Sequence, residues 1–154
     1  MFKSLKLVIL IFMVIPFSYG LEQDHAPHET RAEKGTEVLG RILGNDQKSI
    51  LKKLVDLSPE MTRWVVFFAY GEVVSRTQLA LRTRELATVA ALTAMGTAEP
   101  QLKTHIGMAL NAGTTASEIR ETIMQITVYA DFPAGLNGIR VVRDVFKEKE
   151  IKES

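Results

Sequence analysis

RTRELATVAALTAMGTAEPQLKTHIGMALNAGTTASEIRETIMQ, residues 82–125, reads as three helices separated by two short stops. Leu86, Ala87, Val89, Ala90, Ala91, Leu92 and Ala94 run at helical spacing to Met95, and Gly96 ends them as glycine commonly ends a helix. Thr83 is the expected cap of this first helix, and its many alanines permit a neighbour to approach closely. Glu99-Pro100 restarts the chain, because proline suits the first helical turn, and Asn111-Ala112-Gly113 stops it again. Thr115-Ala116-Ser117-Glu118 is a capping box, in which Thr and Glu satisfy each other's end of the next helix. Stops this short turn each helix back on the last, so the stretch predicts αα-hairpins.

Downstream lies VYADFPAGLNGIR, residues 128–140. Pro133 excludes its predecessor from helical geometry and begins a final helix carrying Ile139, Val142, Val145 and Phe146. Asp131 falls beside the N-terminus of that helix, where negative charge is favourable. Punctuation accounts for the acid and the proline. It does not account for Tyr129, Phe132 and Asn137 at the same break, which are expected to wall a small-molecule site.

Upstream, Ile50, Leu51, Leu54, Val55 and Leu57 form an apolar stripe on a helix that Asp46 can cap. Ser58-Pro59 restarts the chain with a hydroxyl N-cap and a proline in the first turn. The helix that follows carries Trp64, Val65, Phe67, Phe68 and Val73 around much of its circumference and should be central or covered by another subunit. Tyr70, on the same helix, is open between core and site. A first helix near residues 32–43 ends at Gly44-Asn45, and no segment alternates with the period of a strand. The expectation is one all-α domain over residues 32–150.

Residues 1–20 read as a cleavable export signal: Lys3 and Lys6, an apolar run from Leu7 to Phe17, then Ser18-Tyr19-Gly20. The run is short of the roughly 20 residues a membrane span needs, so no stable membrane insertion is expected after cleavage. A polar lead-in at 21–31 with Pro27 is expected to be flexible, and its His25 and His28 lack further ligands for a metal. The mature chain would be periplasmic or secreted, with a net charge of −1 once Lys3 and Lys6 are removed. Neither form has a basic stripe, which excludes nucleic acid as a partner. The chain has no cysteine, which removes disulfides, thiolate metal sites and thiol redox chemistry together.

Three segments in order, FAYGEVVSR at 68–76, the 82–125 stretch, and VYADFPAGLNGIRVVRDVF at 128–146, resemble the carboxymuconolactone decarboxylase family of the alkylhydroperoxidase D-like superfamily. The resemblance implies a helical domain whose subunits assemble into rings, trimers or hexamers. It also implies loss of CO2 from a small carboxylated lactone without metal or other cofactor, giving the enol-lactone. A sister branch is a thiol peroxidase using a Cys-x-x-Cys pair, which this cysteine-free chain excludes. The family's Arg-Pro-Gly-Leu-Asp loop is here Arg76-Thr77-Gln78-Leu79-Ala80, and Asp131 stands where a glycine is usual. A carboxylate there would repel an anionic substrate if it bordered the pocket.

Cofactor-free decarboxylation needs a group to hold the remote carboxylate, an unwelcoming place for the scissile one, and a proton donor for the carbanion. His105 is the candidate donor, at a position matching a family histidine, and histidine titrates near neutrality. Glu85 is its expected partner. A hairpin turning near Thr97-Ala98 puts Glu85 level with residue 110, leaving His105 five residues away, about 7.5 Å at 1.5 Å per residue. Arg84, Arg140 and Arg76 are the candidate anion holders. A competing expectation is an exported, non-catalytic small-molecule-binding oligomer of the same fold.

Overall fold

Local caps and stops set most of the helix boundaries in the computed structural model, which describes residues 28–151. In order they are α1 (His28–Leu43), a 3-10 turn (Gly44–Asp46), α2 (Gln47–Leu57), α3 (Pro59–Arg63), α4 (Leu81–Met95), α5 (Glu99–Asn111), α6 (Ala116–Tyr129) and α7 (Phe132–Glu148). Without a break, α3 winds on as a π-helix over Trp64–Val74. The fold is all-α, with no strand among the described residues. The leader at 1–20, and His25 with most of the lead-in, lie outside those residues.

Three caps form as their sequences dictate. Ser58 Oγ accepts from Met61 N–H at 3.3 Å, and Asp131 Oδ1 accepts from Ala134 N–H at 2.6 Å. Thr115 and Glu118 close their box reciprocally, with Oγ1 accepting from Glu118 N–H and the Glu118 carboxylate accepting from Thr115 N–H. Each such cap contributes about 1 kcal/mol.

Other boundaries differ from expectation. Asp46 precedes α2, but its side chain makes no capping bond, because the 3-10 turn hands its backbone directly to α2. Thr83 does not cap α4, which begins two residues earlier at Leu81 behind Ala80. α1 begins at His28, ahead of the boundary expected near residue 32, and Arg31 is tied to Glu72 of the π-helix at 2.7 Å.

Two packed regions result. In α4–α7, Val89, Ile106, Ile119, Ile123, Val142 and Phe146 form a closed core. The glycines of the 128–140 stretch serve this packing: a Cβ on Gly135 would lie 1.9 Å from Thr127 Oγ1, and one on Gly138 would lie 2.9 Å from Ile123 Cγ2. The second region sets α1 against the π-helix, with Val38, Leu39, Ile42, Leu43 and Tyr70 buried together with Met108 of α5. Here the backbones touch. A Cβ on Gly35 would sit 2.0 Å from Val66 O, and one on Gly71 would sit 2.4 Å from Arg31 O. α2 covers this region without burying any residue fully.

Candidate active site

α4 and α5 form an antiparallel hairpin whose turn is opened by Gly96 in the left-handed region (φ 68°). Glu85, in the first turns of α4, is 2% exposed, and His105 of α5 reaches it across the hairpin. The His105 Nδ1–Glu85 Oε2 distance is 2.9 Å. With the carboxylate ionised, Nδ1–H donates to it, which fixes the tautomer and leaves Nε2 for other work. The five-residue offset is spanned by side chains on facing helices.

His105 lines an open hollow of about 750 Å3 bordered by α1, α2, the π-helix, α4 and α5. This size suits a small ligand. Its walls are largely apolar, built from Leu39, Leu43, Ile50, Leu51, Leu54 and neighbouring side chains. Polar groups are few. Thr88 and Thr104 line it but donate their hydroxyls to Arg84 O and Pro100 O, within their own helices. Tyr70, His105, Gln101 and Lys53 also face it. Burial, and secondarily the charge of Glu85, push the Tyr70 phenol well above the ordinary tyrosine value, so it stays protonated.

The remaining sequence-derived candidates lie elsewhere. Tyr129 and Phe132 are 78% and 71% exposed and do not line the hollow, because the turn between α6 and α7 projects them outward. Asn137 borders a crevice of about 10 Å3, room for at most one water. Arg140 pairs with Glu99 on an exposed groove beside Lys103 and Asp144. Arg84 donates from Nε to Leu79 O at 3.2 Å and from Nη2 to Arg76 O at 3.1 Å, so it staples the 76–80 loop, and Arg76 itself is exposed. Asp131 is occupied as the α7 cap and is absent from the walls of the hollow.

Sequence reasoning thus gathered Glu85 and His105 and missed what surrounds them. Tyr70 was open between two readings, and Lys53 had only its place beside the apolar stripe of α2 to signal it. Among the described residues, no group of three or more His, Cys, Asp or Glu side chains is arranged to hold a metal.

With this geometry in view, the comparisons are specific. The family model for the carboxymuconolactone decarboxylase family matches residues 59–144, from α3 into α7, and includes both members of the Glu–His pair. The chain belongs to this family. The 4-carboxymuconolactone decarboxylase of Acinetobacter baylyi is 35% identical over 121 residues, covering 78% of this chain and 90% of that protein. An uncharacterized 15.0 kDa protein from the nqo9–nqo10 intergenic region of Paracoccus denitrificans is 32% identical over 101 residues, 65% of this chain and 75% of its own. Membership accords with the all-α hairpins, and decarboxylase-like function is supported at the level of the family.

Proposed function

We propose that this protein is a carbon–carbon lyase that removes CO2 from a small carboxylated lactone without metal or other cofactor. The observation that carries the reading is the His105–Glu85 pair at the wall of a ligand-sized, mostly apolar hollow. An apolar wall is a poor host for a carboxylate, and loss of CO2 relieves that mismatch. The bond from the ring carbon to the scissile carboxylate breaks, and its electron pair moves through the conjugated ring onto the lactone carbonyl oxygen. The imidazolium of His105 then delivers its Nε2 proton to the ring carbon beside that carbonyl, and water restores the proton. Glu85 acts through His105 by holding the ring's orientation.

Lys53 supplies the remote anchor. It stands on the hollow, whereas Arg76, Arg84 and Arg140 do not, and among the described residues it has no ion-pair partner, unlike Lys52, which is paired with Asp56. The homo-oligomer, a trimer or hexamer by resemblance, is part of the proposal. Two groups of exposed apolar side chains, Met61, Trp64 and Phe68 on α3 and the π-helix and Tyr129, Phe132 and Leu136 on α6 and α7, support it. Export is proposed from residues 1–20, and cell fractionation with mass measurement of the mature N-terminus tests it.

The decisive experiment measures CO2 release from 4-carboxymuconolactone by purified, metal-free protein. His105→Ala is expected to lower the rate by about 10^2- to 10^4-fold in a protein that still folds, with a lowered thermal midpoint because the buried Glu85 carboxylate loses its partner. A folded wild type that neither turns over nor binds any carboxylated lactone sinks the reading. A second reading, a non-catalytic binding oligomer, draws on one observation: none of the three candidate arginines lines the hollow. It predicts ligands that raise the melting midpoint and are recovered unchanged.

A further inference from the structure

Tyr70 is a buried polar residue on the hollow that the reaction above leaves without a task. Its side chain is 8% exposed, and it shares the hollow's wall with His105. Among the described residues its hydroxyl makes no hydrogen bond, although its backbone oxygen accepts from Ser75 N–H at 3.1 Å. The oxygen is not sealed off either: among the described residues only Thr114 Oγ1 is both buried from solvent and unpaired, so the phenol oxygen stays accessible on the hollow that Tyr70 lines. Thr88 and Thr104, the hydroxyls beside it on the same wall, are both bonded to their own helices. Gln101 and Lys53 also face the hollow but are exposed residues, so among the described residues Tyr70 is the buried one there whose side-chain donor has no protein partner.

The location suits a particular demand of the chemistry. When CO2 leaves, negative charge collects on the lactone carbonyl oxygen, across the carbonyl carbon from the ring carbon that is later protonated. A neutral donor on the wall that meets that oxygen stabilises the transition state as the charge develops. The neighbouring Glu85 charge, together with burial, keeps the phenol a donor across the physiological range.

We propose that the Tyr70 hydroxyl donates a hydrogen bond to the lactone carbonyl oxygen and stabilises the enolate formed as CO2 departs. This rests on the decarboxylase reading for its reaction, but the hydrogen bond itself can be read without turnover. The step needs no further reactant. The electron pair of the broken carbon–carbon bond resides on the enolate, Tyr70 shares its proton without transferring it, and His105 supplies the proton that closes the ring carbon.

The test uses Tyr70→Phe and two readouts. In turnover, the variant is expected to lose about 10^2-fold in kcat with KM changed by less than about threefold, because the bond strengthens only as charge develops. In binding, the probe is an unreactive butenolide acetic acid lacking the scissile carboxylate, labelled with carbon-13 at the ring carbonyl. Its infrared carbonyl band in the wild type is expected below its position in hydrocarbon solvent, to stay low in His105→Ala, and to return in Tyr70→Phe. A wild-type band at the hydrocarbon position, or a variant that keeps both the lowered band and kcat within about twofold, overturns the proposal. If Tyr70→Phe fails to fold, Gln101→Ala and Lys53→Met replace it: a lowered band kept in both and in His105→Ala supports Tyr70, and a band that returns in either overturns the proposal. A wild type without CO2 release but with a lowered band retained in His105→Ala defeats the lyase reading while leaving the hydrogen bond standing.

Discussion

Phe146 and Leu54 are both large apolar side chains on amphipathic helices, yet one is sealed and the other borders a void. Phe146 is 2% exposed among the side chains of α4–α7, whereas Leu54 lines the hollow beneath α2, a helix with no fully buried residue. The four C-terminal helices interdigitate around one core and are drawn together by Gly135 and Gly138. In the other region, two backbones meet at Gly35 and Gly71, and α2 spans what remains without filling it. The difference separates tasks. The closed bundle holds Glu85 and His105 at a fixed distance, and the looser layer supplies space on which a ligand can act.

Truncation should break the symmetry between the two regions most visibly. Phe146→Ala is expected to cost about 3–5 kcal/mol in chemical denaturation, because it leaves a cavity in a closed core. Leu54→Ala should cost about 1 kcal/mol or less, since the space beside it is already empty. Equal losses would mean that the hollow is packed in solution.

Next in size is the seam within the looser layer. Gly35→Ala drives a methyl into the Val66 carbonyl, which is backbone and cannot rotate away. A loss of about 2–3 kcal/mol is expected, with hydrogen exchange quickened in α1 and unchanged in α6 and α7. A uniform increase across both regions would show that they unfold as one.

A smaller effect comes from alkali. The Tyr70 phenol titrates above its unfolded value of 10.0, so above that pH the unfolded chain releases a proton the folded chain retains. The folded state then binds more protons, and stability falls as pH rises, by about 1.4 kcal/mol per unit from this group. Tyr70→Phe should remove that part of the slope, as followed by urea midpoints between pH 9 and pH 11. Smallest is Tyr129→Ser at the exposed turn, expected to shift the stability of the isolated subunit by no more than about 0.5 kcal/mol. The same change bears on association, and sedimentation compares it with wild type.

Helix ends could be read from sequence where the signal was local. Ser58, Thr115 and Asp131 bond to atoms three residues away, so a few letters contain the whole interaction. The Glu85–His105 contact was also within reach, because one short turn at Gly96 fixes how α4 and α5 lie side by side. The hollow was not. It depends on where α1 and α2 settle, which no local spacing records. Rings at the 129–133 break suggested a pocket because exposed and pocket-lining aromatics have the same letters; only the direction in which the turn projects them distinguishes the two. Tyr70 escaped for another reason: a periodicity of 3.6 does not describe a segment wound as a π-helix.

That winding ties two distant duties to one count of residues. Gly71 must meet the Arg31 carbonyl while its neighbour Tyr70 looks into the void, and both directions are set by bonds skipping five residues, as from Ser75 to Tyr70. Deleting a single residue anywhere between Trp64 and Tyr70 would let the coil relax to ordinary pitch and rotate both away at once. Drift in this stretch is therefore confined to exchanging letters; changing its length would unseat α1 and blind the phenol in the same event.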